Sequence, residues 1–266
     1  NLIFSTQANV PLTSYKDFKN NPFAQYNNYY NRYGINPYIA LDTWRRFGKD
    51  QNLVTSLDLK LAATDWLDLN YRAAMTYQSI VSQSNQKRLV VNPYGKARGI
   101  DAVPQAVSNG SYVGNRMSSE FFANFHKTFG DFKVNVLAGT YVRDIKSRNV
   151  GVNASNLIIE GLFNVSARPG ELGGYSNESH TRMFSLYGNV NLNYKNWANL
   201  EFTGRNDKTS VLDPSNNSFF YPGVAASLVL TDAVPAVKSD IMNFLKLRAS
   251  WNKTGNADIN PYLLSA

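Results

Sequence analysis

The sequence predicts an all-β chain: an antiparallel transmembrane β-barrel segment of about eight strands, with long extracellular loops and short periplasmic turns. Three observations lead there. Apolar and polar residues alternate over stretches of about eleven residues, the length a tilted strand needs to cross a bilayer. These stretches come in pairs joined by very short turns, and long segments rich in Gly, Pro and Asn separate the pairs. Trp66, Phe129, Phe132, Tyr194 and Trp197 gather at the short-turn ends, where a periplasmic aromatic girdle would sit.

Residues 1–52 contain Pro11, Pro22, Gly34 and Pro37 in an aromatic stretch without a period, and are expected to form one long extracellular loop. Strands and loops are expected over 53–251. The first strand, 53–62, sets Leu53, Leu57, Leu59 and Leu61 against Asp58 and Lys60. The turn Asp65-Trp66 leads into the second, 67–77, where Leu67, Leu69, Tyr71 and Met75 alternate with Asp68, Asn70 and Arg72. A long loop over 78–116 follows, too long for an ordinary connection. The second hairpin, 119–129 and 132–142, turns at Gly130-Asp131 and presents matched apolar faces. Lys127 interrupts that face near its end, where the stem can lie along lipid while the ammonium reaches the interface. After a loop over 144–181, the third hairpin alternates Leu186, Val190 and Leu192 with Asn189, Asn191 and Asn193. A row of amides fits a watered lumen better than a dry core, because each one buried unpaired costs about 1 to 3 kcal/mol. Strands seven and eight are expected over 219–230 and 245–251, linked by a segment with a helical turn near 237–244. Residues 252–266 begin a further extracellular loop.

Composition excludes several classes. The net charge of +8 comes from Lys and Arg scattered through strands and loops, with no basic block or stripe, so nucleic acid is not an expected partner. There is no cysteine, which removes disulfides and thiolate chemistry. No apolar run reaches the length of a membrane-spanning helix, and a mean hydropathy of -0.34 is compatible with a barrel, whose apolar residues occupy alternate positions. The first residues lack the basic and apolar regions of an export signal, as expected of an interior piece or a processed chain.

The residues with reactive side chains form no catalytic pattern. His126 and His180 are far apart and lack carboxylates at ligand spacing, so no metal is expected. The oxygen-rich stretch 207–217 lacks the spacing and glycine of a calcium loop. No nucleophile motif frames any serine, and the chain is expected to be neither an enzyme nor a cofactor protein. Glu120, Glu201 and Asp207 fall on the water-facing side with Arg72, Arg143 and Arg205, an arrangement that suits charge pairs along a pore wall better than acid–base chemistry. Tyr29, Tyr30, Tyr33, Tyr38 and Trp44, among Asn and Arg, are candidates to contact a substrate or a lid, as are the three arginines. Packing of the rings against a neighbour is the competing reading.

Four blocks resemble, in order, the barrel of the SusC/RagA family of TonB-dependent transporters. They begin Leu186-Tyr187-Gly188-Asn189, Leu200-Glu201-Phe202-Thr203, Phe219-Phe220-Tyr221-Pro222 and Leu245-Lys246-Leu247-Arg248, and the last runs on through Trp251-Asn252-Lys253-Thr254-Gly255-Asn256. The resemblance implies a place in the outer membrane of Bacteroidetes, as one arc of a larger barrel of about 22 strands. It further implies import of oligosaccharides or peptides, a SusD/RagB-like surface lipoprotein as lid, and coupling to the TonB complex through a plug that is not recognisable here. The remaining segments of the same barrel and outer-membrane lipid would be its other neighbours. A passive porin or adhesin barrel, or a soluble β-sandwich binding module, would share the alternation without the resemblance.

Overall fold

Eight strands hydrogen-bond strictly in chain order in one antiparallel sheet. They are β1 Trp44–Thr64, β2 Leu67–Gln86, β3 Ala106–Phe129, β4 Phe132–Ser155, β5 Gly173–Tyr194, β6 Ala198–Thr209, β7 Ser218–Val229 and β8 Lys246–Asn252. The computed structural model describes residues 3, 6–26, 35–99 and 102–255. Among these, no second sheet covers the first. Leu57, Leu59 and Leu61 on β1, Phe184 and Leu186 on β5, and Leu247 and Trp251 on β8 remain exposed. A soluble sandwich would bury that row in its core. No helix is long and apolar enough to cross a membrane, which says nothing of strands.

The short turns fall where alternation ends. Gly130 takes a φ of 58° between β3 and β4, a left-handed conformation open to glycine at little cost. Lys195 and Asn196 take φ values of 47° and 64° between β5 and β6, and the turn is tied down by the Lys195–Asp131 ion pair at 3.2 Å and by Lys133 Nζ donating to Asn196 Oδ1 at 2.9 Å. The expected aromatic cluster forms there: Phe132 and Tyr194 stand 4.7 Å apart, Tyr194 and Trp197 5.3 Å, and Trp66 and Phe125 5.5 Å. Lys127 lies 5.7 Å over the Phe129 ring.

The strands outrun their hydropathy signal at the other end. β1 starts at Trp44 rather than Leu53, and helix α1, Pro37–Thr43, precedes it inside the stretch expected to be loop. β2 continues to Gln86 and β3 starts at Ala106, so the connection expected over 78–116 shrinks to 87–105 and holds helix α2, Pro93–Ala97. Likewise β4 runs to Ser155 and β5 starts at Gly173, well inside the loop expected over 144–181. The reason is physical. Beyond an apolar band the apolar rows are interrupted by polar and charged residues, as at Asp144, Lys146 and Arg148 of β4 and Glu178 and His180 of β5, so the hydropathy contrast breaks while backbone pairing continues. The helical turn expected near 237–244 lies earlier, as helix α3, Leu230–Ala233, and a 3-10 turn, Pro235–Val237.

The chain divides into two compact units. One comprises 1–51, 78–113 and 148–178: the long-loop ends of β1 to β5 with their connections. Its small core is Val107, Ala154, Leu157 and Ala167, with Phe163 and Val165 packed alongside. The other comprises 52–77, 114–147 and 179–266, the remainder of the strands and the short turns.

Candidate functional site

In the second unit, the polar face carries one continuous chain of side-chain contacts. Arg72 Nε donates to Asp58 Oδ1 at 2.5 Å, joining β2 to β1, and Arg72 Nη1 reaches Glu120 Oε2 on β3 at 3.3 Å. Glu120 Oε1 accepts from the Tyr187 hydroxyl on β5 at 2.7 Å. Arg205 on β6 lies 5.9 Å over the rings of both Tyr187 and Tyr141, donates to Ser185 Oγ at 2.8 Å, and pairs with Asp207 at 2.6 Å. Beside this belt, Asn189 donates to Glu201 at 2.5 Å. Period-two alternation gathers these groups on one face, and register sets their order: Tyr187 lies opposite Arg205 and Ser185 opposite Asp207. Each exposed pair adds little stability, since water screens it. Together they present fixed donors and acceptors on a wall.

One glycine makes the belt continuous. Tyr187 and Glu120 stand on β5 and β3, so the tyrosine ring must cross β4. It does so over Gly139, where a Cβ would sit 2.7 Å from the Tyr187 ring and 2.7 Å from Phe122 Cβ. The first unit repeats the device: at Gly151 a Cβ would come within 2.5 Å of the Tyr175 ring. Both pairs join β4 to β5, displaced by the same number of residues along each strand.

The first unit holds a cavity of about 860 Å³. Its wall includes Pro37, Ala40 and Leu41 of α1, and its floor consists of the strand residues Trp44–Arg46, Ser84–Gln86, Ala106–Ser108 and Asn153–Ser155. Helix α1 is held over it by Asn36, fully buried, whose Oδ1 accepts from Tyr38 N at 3.0 Å and whose Nδ2 donates to Tyr15 O at 3.1 Å. The Tyr26 and Trp44 rings meet at 6.2 Å, and burial raises the Tyr26 pKa. Asn85, which lines the cavity, has a buried Oδ1 with no protein partner. The loop after β4 is clamped from behind by Gln105, 1% exposed: its Nε2 donates to Ile159 O at 2.9 Å and Leu162 O at 3.1 Å, and its Oε1 accepts from Gly161 N at 3.0 Å.

Among the candidate residues, Arg72 and Arg205 meet in the belt. Arg143 stands apart from it, with its guanidinium 3.9 Å from Met183 Sδ. Trp44 lines the cavity, while Tyr38 helps to start α1 through its backbone. Tyr29, Tyr30 and Tyr33 lie outside the described residues. Asp58, Tyr141, Tyr187, Asn36 and Gln105 were not singled out by the sequence. Alternation places the first three on the polar face, but only register reveals their partners; nothing local marks Asn36 or Gln105. Among the described residues, no group of His, Asp or Glu side chains could hold a metal ion.

No family model matches the chain. Two proteins of Formosa agariphila are similar to it in sequence. TonB-dependent receptor P26 is 36% identical over 87 residues, covering 33% of this chain and 9% of that protein. TonB-dependent receptor P3 is 26% identical over 148 residues, covering 54% of this chain and 15% of that protein. The chain thus spans a small fraction of the length of either relative. In structure it resembles the RagAB peptide transporter, with a TM-score of 0.75 at 16% identity over 86% of this chain and 25% of that one. The same importer in its open-open state gives 0.76 at 17% identity. In fold the chain matches a segment of the RagAB barrel. In such a barrel the exposed apolar row of this sheet is the outer surface of the wall and the belt lies on its inner surface. Both relatives are named as receptors, not enzymes, in agreement with the sequence reading.

Proposed function

We propose that this chain forms part of the wall and mouth of a TonB-dependent outer-membrane importer that takes up peptides, closed by a SusD/RagB-like surface lipoprotein. Short turns would face the periplasm and the long connections the outside. Residues 1–43 and 253–266 then belong to extracellular segments of the barrel domain. The observation that supports peptide over oligosaccharide is the composition of the cavity. It is lined by aliphatic residues, Pro37, Leu41 and Val107 among them, beside polar side chains such as Asn85, Gln86 and Asn153 that suit the amides of a peptide, and Trp44 is its aromatic residue among those described. Arg46 supplies a cation for a carboxylate. Sugar recognition would favour several flat rings for stacking. The RagAB structures, similar in fold, are described as those of a peptide importer.

The test is uptake by cells expressing the full-length protein, offered labelled oligopeptides and labelled oligosaccharides in turn. Peptide uptake abolished by a protonophore, and reduced by Trp44→Ala and Arg46→Gln with normal protein levels, is the expected result. Uptake that persists without a proton gradient would replace the importer with a passive pore. Energy-dependent uptake of oligosaccharides alone would overturn the choice of peptide.

A further inference from the structure

We infer that the outward face of β4, β5 and β6, just above the apolar band, binds the phosphate of an anionic lipid in the outer leaflet through Lys146, Arg182 and Lys208. The inference rests on the membrane reading given above. The first argument is height. Counting from the aromatic and apolar residues at the short-turn end, Phe132 to Val142 on β4, Tyr194 to Phe184 on β5 and Ala198 to Lys208 on β6 each span about ten residues, or about 23 Å at a 45° tilt, close to the height of a barrel's apolar band. On all three strands the first cation on that face stands at the upper edge of the band or within two to four residues beyond it.

The second argument is direction. Arg182 and His180 share the face of Phe184 and Leu186, both exposed apolar residues, while Asp144 and Lys146 share that of Val142. Lys208 lies directly opposite Phe184 in the β5–β6 register, hence on the same face. These charges therefore point out of the barrel at headgroup level, away from the lumen.

The third argument is charge that remains unmatched. Asp144 is engaged by His180 Nε2 at 2.8 Å and by Arg182 Nε at 2.9 Å, which fixes the guanidinium and leaves its Nη groups without a protein acceptor among the described residues. Arg182 is further held by its backbone N–H, which donates to Ser210 Oγ at 2.8 Å. No salt bridge among the described residues uses Lys146 or Lys208. Three cations against one satisfied carboxylate, all exposed and within four residues of the band's upper edge, complement a phosphate.

The experiment uses the delipidated full-length protein in detergent, titrated with phosphatidic acid or phosphatidylcholine and read by native mass spectrometry. The expected result is preferential retention of phosphatidic acid, weakened about 100-fold in K146Q/R182Q/K208Q and about five-fold in K208Q alone, which keeps the fold in the event that the triple variant does not. Inorganic phosphate at equal concentration should not compete; competition would make this a site for a soluble anion and overturn the lipid assignment. Equal retention by wild type and K208Q would also overturn it. Failure of the wild-type protein to insert into phosphatidylcholine vesicles as a heat-resistant barrel would instead overturn the membrane reading beneath it.

Discussion

The belt in the second unit and the cavity in the first, wall and mouth in the proposed importer, hold their polar groups in place by opposite means. In the belt, side chains bond to side chains, and every member projects from a strand: Asp58, Arg72, Glu120, Tyr187, Arg205 and Asp207. At the mouth, side chains bond mainly to backbone, and the anchors Asn36 and Gln105 lie outside the strands. A wall built from register admits few substitutions without moving its neighbours. A mouth built from loops can alter its lining while Asn36 and Gln105 stay in place. The division would suit the proposed importer, with a rigid frame and a lining that can differ at its entrance.

Four measurements would break or sharpen this contrast. The largest effect is expected at Gly139. Valine there forces the Tyr187 ring off β4, overpacks against Phe122 and cuts the belt in two, costing about 1–3 kcal/mol. The thermal midpoint of the full-length protein in detergent should fall, while Gly170→Val, with nothing near its Cβ position, should leave it unchanged. Equal losses would mean that the glycine is not there for the ring. Next comes Gln105→Ala, which leaves the Leu162 carbonyl and the Gly161 amide of the clamped loop unpaired and takes from the Ile159 carbonyl one of its two donors, at a cost of about 1–3 kcal/mol confined to that loop. Amide exchange at Ile158–Leu162 should accelerate while β5 and β6 keep their protection; a global change would erase the distinction between wall and mouth.

Tyr187→Phe removes one hydroxyl and should cost about 0.5–1.5 kcal/mol. Combined with Glu120→Gln in a double-mutant cycle, it should show coupling, and strict additivity would show that the belt is a row of independent contacts. The smallest effect is expected at Asp213, an exposed cap whose carboxylate accepts from Ser215 N at 2.9 Å and Ser215 Oγ at 2.5 Å. These hydrogen bonds, that of the Ser215 hydroxyl first, lower its pKa. Its contribution is therefore complete above the ordinary carboxylate pKa of about 4 and is lost as pH falls through the lower folded value. Exchange of the Asn216 amide should rise in that acid range, and D213N should abolish the pH dependence.

The wall was more legible in the sequence than the mouth. Alternation placed Arg72, Glu120, Arg205 and Asp207 on one face, because period two is the only signal that an exposed strand needs. It did not reveal that Tyr187 reaches Glu120, since that depends on β4 lying between them and on Gly139 being bare. Strand ends were lost for a related reason: Asp144, Lys146 and Arg148 interrupt the apolar row of β4 after Val142, although Val150, Val152 and Ala154 resume it and the strand runs on to Ser155. Helix α1 went unseen in a Pro-broken segment, although Asn36-Pro37 is a cap followed by a helix-starting proline. The cavity depends on bringing α1 and four strand tips together, which no local pattern encodes.

The paired glycines of β4 also act as an error check on assembly. Slipping β4 past β5 by one residue would turn its apolar face to water, so alternation alone forbids odd shifts. It tolerates a shift of two. That shift would bring Leu137 or Tyr141 beneath the Tyr187 ring, and Asn149 or Asn153 beneath that of Tyr175, where the present close approach leaves no room for a Cβ. Hydropathy thus fixes the register modulo two, and two absent methyl groups select one value from the remainder.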